Sequence, residues 1–239
     1  MRIVVASPPK SGNHWIKCLL AEIYDLRIIE GDEKARLTAD TLPGILAAGG
    51  FPDGSILHIH NRCTGKLCDA IDAVPAYLVS IIRNPYDAFL SLYHWTQERS
   101  ARELDKRQGR PRQALTGKSI DDPAVLEFLH DSYGGTIEQA NGWLHGNRAH
   151  VIRYEDLHAD PRAALKALLT TLPTTLDDRI DAAILECTAD AMRQRSEKMQ
   201  WHVRSAKVGE SRDQLGEAHL AIFRQQHGDA IRSLGYPVR

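Results

Sequence analysis

Residues 1–15 have the sequence MRIVVASPPKSGNHW, and this stretch decides the fold of the chain. The β-branched run Arg2–Ala6 predicts a strand, and the apolar helical spacing that starts at Ile16 predicts a helix. The turn between them places backbone N–H groups at a helix N-terminus, where unpaired donors and the helix dipole favour an anion. Gly12 lets the backbone approach such a ligand closely, and Lys10 adds a positive charge beside it. The stretch therefore predicts a phosphate-binding turn.

Length and composition indicate an ordinary globular protein. The 239 residues are 43% hydrophobic and 26% charged, so we expect one large α/β domain over residues 1–239. A net charge of -1 argues against a nucleic-acid partner. No apolar run approaches the roughly 20 residues of a membrane span, and the N-terminus does not resemble a signal peptide, so a cytoplasmic location is expected.

The four cysteines predict no metal site. Cys18, Cys63, Cys68 and Cys187 form no C-x-x-C pair and have no histidine pair at zinc-finger spacing. We expect reduced thiols, as is usual for a cytoplasmic protein.

The spelling of the first turn separates two classes of phosphate-binding loop. It matches G-x-x-x-x-G-K-[ST] poorly, because Lys10 precedes Ser11-Gly12 instead of following a glycine. The spelling P-K-S-G-x-x-W resembles the 5′-phosphosulfate loop of the sulfotransferases, which use 3′-phosphoadenosine 5′-phosphosulfate (PAPS) and release adenosine 3′,5′-bisphosphate (PAP). The alternative is an ordinary strand-to-helix turn with an incidental lysine. The resemblance implies donor-binding roles for Lys10, Ser11, Gly12, Asn13, His14 and Trp15.

Ser55 to His60, SILHIH, predicts a second strand that ends in a histidine. The carboxyl end of a strand in an open α/β sheet is where such sheets bind ligands. Leu57–His60 is similar to the L-x-x-H segment of the sulfotransferases, which implies that His60 is the general base. His58 lies on the same face of the strand, so the strand period leaves both histidines open. Position at the strand end favours His60.

Ala76–Ile82 is continuously apolar, which predicts a central parallel strand buried on both faces. The following segment, R-N-P-x-D-x-x-x-S, resembles the 3′-phosphate-binding segment of the sulfotransferases. The resemblance implies that Arg83 and Ser91 hold the 3′-phosphate. Taken alone, Arg83 has a surface salt bridge as its alternative role.

A further strand is expected at Arg148–Arg153, followed by Y-E-D-L and a helix that opens at Asp160. This order is also similar to the sulfotransferase pattern and implies that Tyr154 lies near the adenine. Glu155 and Asp156 are interpreted as helix-start carboxylates and not as a catalytic pair.

The stretch 204–212, RSAKVGESR, resembles the late R-K-G-x-x-G-[DE]-W-[KR] segment, which closes over the 3′-phosphate in sulfotransferases. The resemblance implies contacts from Arg204 and Ser205. Ser205 and Ala206 replace the usual Lys-Gly, and Ser211 replaces the tryptophan, so Lys207 is an alternative source of the missing charge.

Other segments carry structural expectations only. A peripheral helix is expected near Leu37–Ala47, and helices are expected over Asp122–Gly146, with Trp143 in the core, and over Asp177–Met199. The polar, mostly basic stretch Gln97–Lys118 is interpreted as exposed surface or as a lid over the acceptor pocket.

Together these segments predict an α/β, P-loop-like three-layer fold with a mainly parallel central sheet flanked by helices. The implied function is transfer of a sulfuryl group from PAPS to a hydroxyl or amine of a small-molecule acceptor. His60 is the expected base, Lys10 the expected stabiliser of the leaving group, and no metal is expected. The acceptor has no motif, and the oligomeric state is not encoded in any pattern. The alternatives are a P-loop nucleotide kinase and a non-catalytic nucleotide-binding module. The altered late segment is the feature that keeps the binding module open.

Overall fold

The computed structural model describes residues 1–29, 40–41, 44–45, 48–103, 115–172 and 176–239. The helix expected near Leu37–Ala47 falls largely outside these residues, as does the centre of the basic stretch, 104–114. Helix α3, defined below, continues through the start of that stretch to Glu103.

Five parallel strands form the sheet in the order β2-β3-β1-β4-β5, which confirms the mainly parallel arrangement. At the centre, Val4 pairs with Leu57 on one side and Leu78 on the other. The two-residue strand β2 is not among the strands that the sequence predicts. The strands are β1 Arg2–Ala6, β2 Arg27–Ile28, β3 Ser55–Ile59, β4 Ala76–Ile82 and β5 His150–Arg153.

The helices connect the strands and cover the sheet. None of those in the described residues is both long and apolar enough to cross a membrane. They are α1 Asn13–Tyr24, α2 Gly65–Asp72, α3 Pro85–Glu103, α4 Pro123–Asp131, α5 Gly134–His145, α6 Tyr154–Ala159, α7 Pro161–Leu169, α8 Asp177–Glu186, α9 Ala189–Arg195, α10 Glu197–His202, α11 Ser211–Gln214 and α12 Glu217–Ser233.

The central strand β1 shows that the fold has three layers. Ile3 and Val5 pack into a cluster with residues of α1, α7 and α8. Val4 and Ala6 point the other way, into a cluster with residues of α2 and with Trp143. Because side chains alternate along a strand, helices on both faces leave β1 buried on both sides.

The single helix expected over Asp177–Met199 is wrong, since three helices occupy the region. The breaks fall where Thr188 and Ser196 act as N-caps and accept hydrogen bonds from the backbone N–H groups of Ala191 and Met199. Leu185 of α8 is 72% exposed, although a leucine in a helix would usually face the core. A capping side chain favours the start of a new helix because it accepts a hydrogen bond from one of the first N–H groups of that helix, which have no partner within it.

The parallel topology brings the strand ends together. Strands β1, β3, β4 and β5 point the same way, so the residues that follow them lie along one edge of the sheet. Those residues are Ser7, His60, Arg83 and Tyr154, and ligands of open α/β sheets bind at this edge.

Candidate active site

The turn after β1 has the backbone of an anion cradle. Lys10 and Gly12 both have positive φ, 65° and 104°, and α1 begins at the next residue, Asn13. The side-chain amide of Asn13 closes the turn by donating a hydrogen bond to the carbonyl of Pro8, at a distance of 2.8 Å. Ser11 between Lys10 and Gly12 has no positive φ, and such alternation of left-handed with other residues points successive N–H groups toward one side, where the helix dipole adds positive potential.

Gly12 is needed for space as well as for its φ. A Cβ built on Gly12 lies 2.7 Å from Cδ2 of Tyr154 and 3.1 Å from Cδ1 of Ile81. The turn therefore packs directly on the aromatic ring that follows β5. This contact brings the two segments together at one edge of the cavity described below.

Arg83 follows β4 and joins three segments. Its guanidinium stacks on the Tyr154 ring, with Cζ 4.3 Å from the ring centroid. It also donates to the carbonyl of Lys207 at 2.8 Å and to that of Lys10 at 3.4 Å. Lys207 contacts Arg83 through its main-chain carbonyl, whereas its side chain is exposed.

Tyr154 is walled in by aromatic and charged groups. The Trp15 ring lies 5.7 Å away in an edge-on arrangement. Burial raises the pKa of Tyr154, although the nearby Arg83 guanidinium opposes that shift. The next residue, Glu155, accepts a hydrogen bond from the backbone N–H of Asn84 at 2.8 Å and so ties the ends of β4 and β5 together.

Glu210 orients Arg204 in the late segment. The Arg204 guanidinium donates to both carboxylate oxygens of Glu210, one of them at 3.0 Å, and Ser205 donates to the second at 2.7 Å. Burial by itself raises the pKa of Glu210, but the hydrogen bonds from Arg204 and Ser205 outweigh it and hold that pKa below its usual value. Ala206 takes a left-handed φ of 54°, which explains why a glycine is usual there in the sulfotransferase pattern.

Two further side chains fix the backbone of this segment. Asp87, buried in the first turn of α3, accepts hydrogen bonds from the N–H groups of Gly209 at 2.6 Å and Ser211 at 3.0 Å. Arg193 donates to the carbonyls of Val203 and Arg204, both at 2.8 Å. Asp87 thereby connects the start of α3 to a segment more than a hundred residues away.

Histidines surround the end of β3. The Nδ1 atom of His60 lies 2.8 Å from the carbonyl of Ser7, at the start of the first turn. The His58 ring is 4.4 Å from that of His60 and 6.5 Å from that of His14. His14 in turn packs against His202 at 4.2 Å.

These groups enclose a cavity of about 640 Å³. Every residue that sequence analysis assigns to the site lines it except Ser11, which is buried beneath the turn at 2% exposure. Three lining residues are cationic, and none of the described lining residues is an aspartate or glutamate. The cavity therefore suits a polyanion. The assigned residues that line it are Lys10, Gly12, Asn13, His14, Trp15, His60, Arg83, Ser91, Tyr154, Arg204 and Ser205.

Comparison with known families agrees with this geometry. The model of the sulfotransferase domain matches residues 1–230. The chain belongs to the sulfotransferase family. The resemblance recognised in the sequence is thus confirmed, and so is the assignment of the chain as an enzyme of this family.

Curated relatives of this sulfotransferase are distant but extend over most of it. Sulfotransferase 6B1 of Pan troglodytes is 27% identical over 90% of this chain and 71% of its own length. Cytosolic sulfotransferase 15 of Arabidopsis thaliana is 26% identical over 71% of this chain, which spans half of that relative.

Solved structures share the fold. Mouse sulfotransferase SULT7A1, crystallised with PAP, superposes with a TM-score of 0.72 over 98% of this chain and 87% of its own, at 18% identity. Retinol dehydratase in complex with androsterone and PAP has a TM-score of 0.64 over 100% of this chain and 82% of its own, at 14% identity. These likenesses confirm the P-loop-like α/β fold.

Several lining residues of this sulfotransferase were not found from the sequence. Trp95 lies one helical turn after Ser91 on α3, and this spacing was a usable signal. His202 lies between the expected helix Asp177–Met199 and the late segment that begins at Arg204, so no predicted element includes it. Thr188 and Met192 reach the cavity because helix α9 starts there.

The expectation of four reduced thiols is wrong for two of them. Cys18 of α1 and Cys187 after α8 form a disulfide, with Cα atoms 5.9 Å apart, while Cys63 and Cys68 are free. Within the described residues, the one cluster with metal-ligand spacing is Cys18, Glu22 and Cys187. Its two sulfur atoms form the disulfide, and a disulfide supplies no thiolate ligand to a metal ion.

Proposed function

We propose that this enzyme transfers the sulfuryl group of PAPS to a hydroxyl or amine of a small-molecule acceptor. The observation that carries the proposal is the meeting of Lys10, Arg83 and Arg204 in one cavity whose described lining has no carboxylate. Three cations from three distant segments match a ligand with separated anionic groups. Structural relatives crystallised with PAP support the same donor.

The cavity fits the donor part by part. The Lys10–Trp15 turn would hold the 5′-phosphosulfate on its N–H groups. Arg83, Ser91, Arg204 and Ser205 would hold the 3′-phosphate. The adenine would lie against Trp15 and near Tyr154, whose rings contact each other edge-on with centroids 5.7 Å apart.

His60 is suited to be the general base. Because its Nδ1 lies 2.8 Å from the Ser7 carbonyl, a neutral ring donates there from Nδ1 and has its lone pair on Nε2. His60 thus takes the acceptor proton at Nε2 while the acceptor oxygen or nitrogen attacks sulfur. Bound PAPS supplies the sulfuryl group and a phosphate leaving group. Lys10 and the turn N–H groups stabilise the negative charge that grows as the bond from sulfur to the phosphate oxygen breaks.

Three measurements test the function. PAP should bind more tightly than ATP–Mg²⁺, and labelled PAPS should yield a sulfated product from a panel of hydroxylated and amino acceptors. EDTA should not change turnover, because fixed cations and N–H donors supply the charge. A preference for ATP–Mg²⁺ would favour a nucleotide kinase, and tight PAP binding without any product would favour a binding module.

The base is tested by paired variants. His60→Ala should lose about 10²–10⁴-fold in turnover with little change in PAP affinity, because the donor is held by other residues. His58→Ala should be milder, since His58 contacts His60 and would act by orienting it. Thermal melts exclude unfolding. Normal turnover in His60→Ala beside an inactive His58→Ala would reverse the assignment.

A further inference from the structure

The C-terminal segment, residues 234–239, follows α12 and lies against the end of β5. Arg153, the last residue of β5, donates to the carbonyl of Leu234 at 2.8 Å, and its guanidinium carbon lies 5.0 Å from the centroid of the Tyr236 ring. The Val238 side chain packs against an apolar cluster formed by α3, α4, α5 and α12. The segment is therefore held on the protein by polar and apolar contacts together.

Tyr236 connects the C-terminal segment to the residues around Arg83. Its hydroxyl donates to Oε2 of Glu155 at 2.8 Å, and Oε1 of the same carboxylate accepts from the backbone N–H of Asn84, also at 2.8 Å. Burial and the neighbouring Glu155 carboxylate raise the pKa of Tyr236, so the hydroxyl keeps its proton and remains a donor. Glu155 also follows Tyr154, on which the Arg83 guanidinium stacks. Tyr236 thus holds the carboxylate that fixes the backbone next to Arg83.

Arg239 connects the C-terminal segment to α3 and to the late segment. Its guanidinium donates to the hydroxyl of Ser211 at 3.0 Å and stacks on the buried ring of Tyr86, with Cζ 4.1 Å from the ring centroid. The backbone N–H of Arg239 donates to the Tyr86 hydroxyl at 2.9 Å. Asp87, the next residue of α3, accepts from the backbone N–H of Ser211. Arg239 and Asp87 therefore hold Ser211 from its side chain and from its backbone.

The position of Ser211 bears directly on Arg204. Ser211 is 2% exposed and immediately follows Glu210, whose carboxylate accepts hydrogen bonds from the Arg204 guanidinium. A shift of Ser211 would move Glu210 and change the direction in which that guanidinium points. The sulfotransferase pattern has a tryptophan at this position, whereas serine supplies the hydroxyl that Arg239 contacts in this chain.

Neither Tyr236 nor Arg239 is among the described residues that line the cavity, so each would act through other side chains. Resting on the proposed PAPS-dependent transfer, we propose that both are positioning residues for the 3′-phosphate of the donor. Tyr236 keeps Arg83 in place, and Arg239 keeps Arg204 in place. Guanidiniums that are oriented before the donor arrives bind it more tightly, because less side-chain freedom is lost on binding.

The test compares PAP with adenosine 5′-phosphate, which lacks only the 3′-phosphate. By calorimetry, Arg239→Ala should lower PAP affinity about three- to tenfold and leave adenosine 5′-phosphate affinity nearly unchanged. Tyr236→Phe removes a single oxygen atom, keeps the ring beside Arg153 and should lower PAP affinity about threefold. Arg232→Ala, an exposed arginine of α12 paired with Asp229, is the control and should bind both nucleotides normally. Thermal melts show whether each variant is folded.

Double variants distinguish positioning from a general loss of structure. In an Arg204→Ala background, Arg239→Ala should cause little further loss of PAP affinity, because the guanidinium that it positions is already absent. Tyr236→Phe should likewise add little in an Arg83→Ala background. A merely structural role would lower the affinity by the same factor in either background. With labelled PAPS, the single variants should raise the donor KM and leave kcat at saturating donor nearly unchanged.

The outcomes separate this proposal from the proposed function. Equal losses for the two nucleotides, normal PAP affinity in both single variants, or losses that add in full to those of the arginine variants overturn the positioning role. If wild type binds PAP no better than adenosine 5′-phosphate, the proposed donor is contradicted and the positioning role with it. If the variants lose a preference that wild type shows, yet no acceptor is sulfated, the positioning role stands and sulfuryl transfer is contradicted.

Discussion

At the scale of single residues, Gly12 leaves almost no room for an added methyl group. Gly12→Ala forces a side chain into a φ of 104° and places its Cβ 2.7 Å from the Tyr154 ring. We expect a loss of about 1–3 kcal/mol in the free energy of unfolding, and weaker PAP binding because the turn must move away from Tyr154. Chemical denaturation and a PAP titration measure both effects.

The matched control is Gly65→Ala at the start of α2, where a Cβ meets nothing within 4 Å. Its free energy of unfolding should stay within about 0.5 kcal/mol of wild type. Equal stability of the two variants would show that the contact between the turn and Tyr154 is not tight in solution.

Arg83 should discriminate nucleotides by their 3′-phosphate. Arg83→Ala removes a guanidinium that is already oriented by Tyr154 and by the Lys207 carbonyl. A charge-assisted hydrogen bond to phosphate contributes roughly 1.5–3 kcal/mol, so PAP affinity should fall about tenfold or more while adenosine 5′-phosphate affinity changes little. Arg162→Ala, an exposed arginine of α7 paired with Asp181, is the control. Equal losses for both nucleotides would remove Arg83 from recognition of the 3′-phosphate.

At the scale of elements, Asp87 connects α3 to the late segment. Asp87→Asn replaces a carboxylate that accepts from Gly209 and Ser211 by an amide with one acceptor oxygen. The 209–211 turn should loosen, and PAP affinity should fall about tenfold because Arg204 loses its fixed setting. The control is Asp156→Asn, an exposed first-turn acid of α6, which should bind PAP normally. Normal PAP affinity in Asp87→Asn would mean that the segment is held without this contact.

Element boundaries show where sequence patterns suffice. Apolar runs predicted β1 and β4 to the residue, because a strand buried on both faces has little choice of sequence. The breaks at Thr188 and Ser196 were missed although both are favourable N-cap residues, since the apolar spacing continued across them. Strand β2 has two residues, too few for any period to register.

At the scale of the molecule, the cavity is assembled from contacts that local sequence does not encode. Residues after β1, β3, β4 and β5 could be predicted to meet, because parallel strands bring their carboxyl ends to one edge. His202 and Trp95 meet across more than a hundred residues through the packing of α10 on α3. Local sequence patterns contain no information about how these two helices pack. The residues on the acceptor side of the cavity could therefore not be predicted from the sequence.

The disulfide ties two distant parts of the molecule and leads to the last prediction. Cys18 lies in the helix that follows the phosphate-binding turn, and Cys187 lines the cavity 169 residues later. Closing so long a loop restricts the unfolded chain, so Cys18→Ala should lower the free energy of unfolding by about 2–5 kcal/mol. PAP affinity should also fall, because the wall at Cys187 and Thr188 loses its covalent link to α1.

Cys68→Ala provides the control for the volume lost, since Cys68 is equally buried but not paired. Denaturation of both variants, with and without a dithiol reductant, separates the stability lost with the disulfide from the stability lost with the buried sulfur atom. Reductant should destabilise wild type and leave Cys18→Ala unchanged. Thiol counting on denatured protein that finds four free cysteines would contradict the disulfide. It would also restore the expectation of reduced thiols that a cytoplasmic location carries.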